Sequence, residues 1–127
     1  MTGPTQRLRL GRAMHIKHGR DFARVREQGG RLASGCLVAN WLRLPAGSAS
    51  RLGVVAGSKI GGAVLRSRVK RLLRESFRLH QLELNGPVDL VLVARPSIAR
   101  GDFATVERDF LAALRKAGLL NAPAASE

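Results

Sequence analysis

The sequence contains a single cysteine, Cys36, no tyrosine and only 4% aromatic residues. One sulfur cannot form an internal disulfide framework or a zinc site built on several cysteines, a pattern typical of a cytoplasmic protein. The few aromatic residues argue against a nucleic-acid binder that works mainly by stacking successive bases on exposed rings. No uncharged stretch approaches the roughly 18 residues that a membrane-spanning helix needs, and no signal-peptide pattern follows the basic start. We therefore expect a cytoplasmic protein without a membrane partner.

Acidic residues are also scarce, with 9 Asp and Glu against 22 Lys and Arg and a formal net charge of +13. Such an excess repels itself unless a polyanion neutralises it, which indicates a nucleic-acid partner. Hydrophobic residues still make up 45% of the 127 positions, so the chain can bury one core and is not merely a disordered basic tail. We expect a flexible basic arm at residues 1–14, one folded domain at 15–119 and a disordered tail at 120–127.

Hydrophobic periodicity and turn residues predict both helices and strands in this domain. Helices are predicted at residues 16–28, 64–84 and 103–117, and strands at 33–44, 51–57 and 88–94, with a further brief strand after Arg31. The strands at 33–44 and 51–57 should pair as an antiparallel hairpin, because their short connection cannot form a parallel crossover. The apolar strand at 88–94 should lie in the middle of the sheet.

The central helix is predicted to carry one packing face and one cationic face. The packing face holds Leu65, Val69, Leu72, Leu73, Ser76 and Leu79, and the cationic stripe holds Arg66, Lys70, Arg74 and Arg78 with Arg71 beside it. Like charges four residues apart destabilise a helix by roughly a few tenths of a kcal/mol per pair, and a bound phosphate backbone reverses that sign. The preceding loop, 58–63, adds Lys59 and free peptide N–H groups, which favour an anion.

The last helix should begin after Asp102 as its N-cap and end at Gly118. Its predicted core side consists of Phe103, Val106, Phe110 and Leu114, which are three, four and four residues apart.

No grouping of residues indicates catalysis by the protein itself. His15 and His18 have no cysteine or carboxylate group beside them to complete a metal site, and His80 is interpreted as a hydrogen-bonded histidine at the edge of the core. Cys36 has no identifiable base, and the sequence lacks a GxSxG nucleophile elbow. The loop at 57–59 lacks the glycine spacing of a triphosphate-binding loop, and the scattered carboxylates are interpreted as surface ion-pair partners. We predict no catalytic residue, no metal ligand and no nucleotide cofactor.

The residues alone define only a basic α+β nucleic-acid binder. The sequence has no leucine heptads after its basic helix, no tight turn of a helix-turn-helix, and neither the RNP1 motif of an RRM nor the GXXG loop of a KH domain. The same charge is also compatible with a structural nucleic-acid-binding protein, either ribosomal or nucleoid-associated, and this function remains open as an alternative. A metal-dependent nuclease is disfavoured because no carboxylate cluster is visible.

Four segments resemble the bacterial ribonuclease P protein subunit. Residues 51–55 (RLGVV) and 58–75 (SKIGGAVLRSRVKRLLRE) are similar to the hallmark region of that family, which contains its RNR motif. Residues 19–22 (GRDF), followed by Gly29, resemble the family's first helix and turn, and residues 89–96 (DLVLVARP) resemble its last strand. About 100 residues align in the same order.

The resemblance implies an αβββαβα fold of the α+β class, a two-layer sandwich with a four-stranded sheet related to a domain of ribosomal proteins. It also implies a left-handed β-α-β crossover, where pattern alone would suggest a right-handed one. The implied function is that of the protein subunit of an endoribonuclease that removes the 5′ leader of precursor tRNA, with hydrolysis carried out by the RNA subunit and its Mg²⁺ ions. The residues implied to bind the RNA subunit are Lys59, Gly61, Arg66, Ser67, Arg68, Lys70, Arg71 and Arg74.

The 5′ leader is implied to lie in a cleft between the first helix and the sheet. Two departures from the family pattern bear on these contacts. Ser67 stands where the RNR motif has Asn, so a hydroxyl replaces an amide that both donates and accepts hydrogen bonds. In the cleft Phe22 keeps an aromatic position of the first helix, but the position four residues on is Arg26, and Asn40 occupies the strand position where the family pattern leads us to expect Tyr. A shift of one residue in the alignment would place Trp41 in the cleft instead of Asn40.

Overall fold

The computed structural model describes residues 9–121, which form three helices and a four-stranded sheet in the predicted αβββαβα order. The helices are α1 (Gly19–Gln28), α2 (Ala63–His80) and α3 (Phe103–Lys116), and the strands are β1 (Gly30–Ser34), β2 (Leu37–Arg43), β3 (Arg51–Val55) and β4 (Val88–Ala94). Short 3₁₀ turns lie at Arg12–Met14, Ser58–Ile60, Gln81–Glu83 and Pro96–Arg100.

The sheet is mixed and has the strand order β1-β2-β4-β3. β2 pairs antiparallel with both β1 and β4, and β3 pairs parallel with β4 through the crossover that contains α2. The predicted hairpin between the strands at 33–44 and 51–57 is therefore wrong, because β4 lies between β2 and β3. Six of the seven residues of β4 are buried, so this strand gains most from the centre of the sheet. The hairpin that does form joins β1 to β2.

One face of the sheet is covered by α2 and α3, and it holds the main hydrophobic core. The largest side chains with less than 2% exposure in this core are Phe77, Phe110, Leu37, Leu52, Leu73, Leu90, Leu92, Ile98, Leu114 and Leu119. Two predictions for the packing face of α2 need correction. Leu79 is 37% exposed, whereas Phe77, which had not been assigned to that face, is fully buried.

The other face of the sheet is covered only in part, by α1. A second and smaller cluster there consists of Ile16, Val25 and Val91, with Phe22, Leu42 and Val93 packed against it. Ile16 was predicted to lie inside the first helix, but the helix begins three residues later, and the backbone N–H of Ile16 donates to the Leu52 carbonyl at the edge of β3. The described residues thus place one helix on this face and two on the other.

The ends of the folded domain lie slightly outside the predicted limits. Leu10 and Met14, predicted to be part of a flexible arm, pack against the main core, and Leu120 pairs with Leu84 in an isolated bridge. Residues 1–8 and 122–127 lie outside the described residues. The Asp102 carboxylate accepts a hydrogen bond from the Thr105 backbone N–H at 2.9 Å, which confirms it as the N-cap of α3.

Candidate nucleic-acid interface

The eight residues predicted to bind the RNA subunit all lie on α2 and on the turn immediately before it. Arg71, Ser67 and Lys59 are exposed, and the other cations of the group are partly exposed. Gly61 has a φ of +149°, and a Cβ there would lie 2.7 Å from Leu65 Cδ2, so glycine is needed where the turn enters the helix. The structure therefore brings these residues together on one continuous surface.

Most carboxylates of the chain form ion pairs or hydrogen bonds with other residues of the protein, so they do not neutralise the positive charge of this surface. Seven of the eight acidic residues within 9–121 hold an ion pair or a hydrogen bond, namely Asp21, Glu75, Glu83, Asp89, Asp102, Glu107 and Asp109. On α2 itself Glu75 pairs with Arg78, and hydrogen bonds from that guanidinium lower the pKa of the Glu75 carboxyl. The remaining arginines and the lysine of α2 thus lie on this surface with little compensating charge.

The α1 side of the sheet contains the residues predicted for the leader. The Phe22 ring lies against Gly53, where a Cβ would be 2.6 Å from Phe22 Cε1. Asn40 is directly opposite Val91 in the β2–β4 pair, and Val91 belongs to the α1-side cluster, so Asn40 faces the same side as Phe22. Arg26 is exposed on α1. Phe22, Arg26 and Asn40 thus share one side of the sheet.

Trp41 does not share that side. It pairs with Leu90 across β2 and β4, packs against the main core and lies over Gly30. Successive side chains of a strand point to opposite faces, so Asn40 and Trp41 cannot both face α1. The alternative alignment that placed Trp41 in the cleft is therefore corrected by the strand register.

A buried ion cluster holds α1 against the sheet. Arg51 donates to both oxygens of Asp89, at 2.9 Å from Nε and 2.7 Å from Nη2, and the Asp89 side chain has no exposed surface. Asp21 of α1 lies 3.5 Å from Arg51 Nη1 and accepts a 2.8 Å hydrogen bond from Arg24. The hydrogen bond to Asp89 raises the pKa of Arg51 further above its usual value.

The sequence pattern did not predict this cluster, because scattered carboxylates are typical of surface ion pairs. The signal that could have predicted the cluster is Asp89, an aspartate inside an otherwise apolar strand. A charge buried in such a strand needs a partner of opposite charge.

Cys36 is a structural residue. Its backbone N–H donates to Asp109 Oδ2 at 3.0 Å, which fixes the β1–β2 turn onto α3, and Gly35 in this turn has a φ of +56°. Burial, together with the hydrogen bond and negative charge of Asp109, raises the pKa of the Cys36 thiol to about 12. The thiol is therefore not a nucleophile at neutral pH, as expected from the lack of an adjacent base.

His80 connects α2 to α3 through Glu107 and also contacts Glu83 in the turn after α2, which confirms it as a hydrogen-bonded histidine at the edge of the core. Its Nδ1 lies 2.5 Å from Glu83 Oε2 and its Nε2 lies 2.7 Å from Glu107 Oε2. Burial alone would lower the pKa of His80, but the hydrogen bonds to Glu107 and Glu83 outweigh burial and raise it. Because a carboxylate only accepts hydrogen bonds, this geometry favours the doubly protonated ring.

The described residues contain neither a metal-binding group nor a membrane-spanning helix. Within residues 9–121, no three His, Cys, Asp or Glu side chains come together as a group that could hold a metal ion. None of the helices in the same part of the chain is both long and apolar enough to cross a bilayer.

Comparisons with known proteins agree with this geometry. The Ribonuclease P family matches residues 10–118. The ribonuclease P protein component of Syntrophomonas wolfei is 36% identical over 110 residues, covering 87% of this chain and 92% of that protein. Its counterpart from Thermus thermophilus is 40% identical over 120 residues, covering 93% of this chain and 68% of that protein.

Two solved structures have the same fold. The Staphylococcus aureus RNase P protein superimposes with a TM-score of 0.79 at 27% identity, over 87% of this chain and all of that one. The Thermotoga maritima RNase P protein superimposes with a TM-score of 0.69 at 31% identity, over 87% of this chain and 96% of that one. With the family match and these relatives, the chain belongs to the ribonuclease P protein family.

Proposed function

We propose that this chain binds the RNA subunit of ribonuclease P through α2 and the turn before it, and the 5′ leader of precursor tRNA through the α1 side of the sheet. Its family makes it the protein component of the endoribonuclease that forms the 5′ end of mature tRNA. The observation that carries the assignment of α2 is its concentration of cations, six in residues 66–78, beside carboxylates that are mostly engaged elsewhere. Such a surface is stabilised when phosphates dock on it.

The proposed contacts with the RNA subunit are electrostatic for the most part. Guanidinium groups bind phosphate oxygens through paired N–H donors, and each neutralised phosphate releases condensed counterions. Ser67, which is exposed on the same helix, supplies one hydroxyl where the RNR motif of the family has an amide. Arg68 also donates to the Gly101 carbonyl at 3.3 Å, so part of its guanidinium is already oriented in the free protein.

The proposed leader contacts combine one ring with polar groups. Phe22 offers an aromatic edge beside Gly53, and exposed Arg26 offers a charge one helical turn from Phe22. Asn40 is only 6% exposed, so its amide contributes at the base of this site. A single-stranded RNA leader presents bases and phosphates at the same time, and these three groups match both. Leader binding should therefore depend on charge and hydrogen bonding as well as on stacking.

We assign the hydrolytic chemistry and its Mg²⁺ ions to the RNA subunit. Mg²⁺ prefers oxygen ligands and keeps several waters, so it needs available carboxylates or phosphates. The acidic side chains of residues 9–121 are mostly held by arginines, a histidine or backbone N–H groups, whereas RNA supplies phosphate oxygens. The protein's role is then to hold two RNAs in register, which lowers the Mg²⁺ concentration that cleavage requires.

The experiment that tests this function is a reconstitution. The purified chain is added to a bacterial ribonuclease P RNA and a precursor tRNA, and cleavage at the 5′ end is followed at low and high Mg²⁺. We expect faster leader removal at low Mg²⁺, with a smaller gain at high Mg²⁺. A chain that binds both RNAs without accelerating cleavage at any Mg²⁺ concentration would instead be a structural nucleic-acid binder.

A double substitution tests the assignment of α2. Replacing Arg68 and Arg71 by Ala should weaken binding of the RNA subunit and reduce the slope of log K against log salt by about one for each lost phosphate contact. The matched control replaces Arg115 and Lys116, two exposed cations at the C-terminal end of α3, and should leave the slope close to that of the wild type. Equal slopes for both double variants in a filter-binding titration would contradict the assignment.

A further inference from the structure

Phe103 differs from the other aromatic residues of the described chain in the position of its ring. Phe77 and Phe110 are buried in the main core, Trp41 packs against that core, and Phe22 packs in the α1-side cluster. Phe103 belongs to neither cluster and is partly exposed. The prediction that it lies in the core is therefore wrong. As the first residue of α3 it lies at the end of the helix, beside α2.

The Phe103 side chain lines a groove between α2 and the start of α3. The groove has a volume of about 530 Å³, and its other lining residues are Arg68, Arg71, Leu72 and Glu75. This volume falls within the roughly 300–1,000 Å³ that ligand sites occupy. The groove thus combines an aromatic ring and an aliphatic side chain with two guanidinium groups.

The charges of the groove favour an anion. Glu75 is its only acidic lining residue, and that carboxylate is paired with Arg78. Arg71 is exposed, and Arg68 is held at the groove by its hydrogen bond to Gly101. A nucleotide has the matching parts, since its base stacks on a ring and its phosphate binds guanidinium groups.

We propose that this groove binds one unpaired nucleotide of the RNA subunit, with its base stacked on Phe103 and its phosphate bound by Arg71 and Arg68. The inference rests on the proposed function, because the groove is continuous with the cationic surface of α2. It assigns the nucleotide to the RNA subunit and not to the leader, because Phe22 and Asn40 lie on the opposite face of the sheet. The α2 surface then contacts an unstacked base of the RNA subunit as well as its phosphates.

The first test replaces the ring and keeps its apolar bulk. Phe103→Leu should weaken binding of the RNA subunit by at least about fivefold without changing the salt slope, because a stacked base carries no counterions. Leu82→Ala is the control, since it removes apolar surface from a side chain that is 61% exposed outside the groove, and it should bind as the wild type does. Wild-type affinity of Phe103→Leu would overturn the proposal. So would an equal loss in both variants.

A second measurement does not depend on the stability of Phe103→Leu. Phe103→Trp places a fluorophore in the groove, and its emission is compared with that of the wild type, which reports Trp41 alone. We expect additional quenching on addition of the RNA subunit and none on addition of precursor tRNA alone. Quenching by precursor tRNA alone, or by neither RNA, would overturn the assignment.

The two proposals fail in different ways. Absence of any acceleration in the wild-type reconstitution would remove the proposed function. In the other case the wild type accelerates cleavage, while Phe103→Leu keeps its RNA affinity and the emission of Phe103→Trp does not respond to RNA. That combination of results would contradict the nucleotide site and leave the proposed function intact.

Discussion

The two faces of the sheet are closed by different kinds of interaction. The face under α2 and α3 is sealed by a continuous apolar core in which Phe77, Phe110 and eight further large aliphatic side chains have less than 2% exposure. The face under α1 has a small apolar cluster, and the helix is held there by the ion cluster that joins Asp21 and Arg24 to Arg51 and Asp89.

This difference corresponds to the two proposed RNA contacts. An apolar core fixes α2 rigidly, so that its cations keep a constant spacing against a structured RNA. A helix held by a few directional ion pairs covers only part of a sheet face, and this is the face to which the leader contacts are assigned. Apolar burial is concentrated on the first face, and the polar groups proposed for the leader lie on the second.

The largest effect is expected from the apolar face. Phe77→Ala should lower the free energy of unfolding by about 3–5 kcal/mol, because the large cavity beneath α2 cannot collapse fully. Val25→Ala, which removes a fully buried side chain from the α1 side, should cost only about 2 kcal/mol. Urea unfolding of both variants measures the difference. Equal losses would show that the two faces contribute alike.

The ion cluster on the α1 face should come next. Asp89→Asn leaves Arg51 with a more distant partner and should cost about 2–4 kcal/mol, slightly less than a fully buried pair because the Arg51 side chain is 27% exposed. Asp102→Asn is the matched control, since Asn caps a helix about as well as Asp, and it should cost less than about 0.5 kcal/mol. Asp89→Asn should also weaken leader binding more than RNA-subunit binding. A larger loss in RNA-subunit binding than in leader binding would show that the ion cluster does not support the leader contacts.

The sequence predicted one of these faces better than the other. A helical period of apolar residues identified α2 and α3, and an apolar run interrupted only by Asp89 identified β4 as a central strand, because burial repeats along an element. Asp102 and the residues near the N-terminus of α2 were also identifiable, since capping and anion binding are local. The α2 surface could therefore be predicted before its structure was known.

Long-range pairing could not be predicted in the same way. The short connection between β2 and β3 suggested a hairpin, yet β4 enters between them from much later in the chain. The ion cluster around Asp89 and Asp21 likewise joins three different elements, α1, β3 and β4. Phe103 has the helical spacing of the core residues of α3, yet its side chain lies outside the core. Periodicity shows which side of a helix faces the core, but it does not show whether the sheet and α2 extend far enough to cover the end of that helix.

The smallest effect is expected at the ionic contact between His80 of α2 and Glu107 of α3. His80 has a raised pKa, so its interaction with Glu83 and Glu107 is fully present below the unfolded pKa of about 6.5 and is lost as pH rises through the folded pKa above it. The gain should be less than about 1 kcal/mol, since the Glu83 side chain is 53% exposed.

Comparison of the wild type with His80→Gln by urea unfolding between pH 5.5 and 9 checks this expectation. The difference in stability should be largest at the acidic end of this range and should shrink toward pH 9, because the wild type loses a charge that the variant never carries. A difference that grows with pH would mean that His80 is neutral in the folded protein, and that α2 and α3 are joined by apolar packing alone.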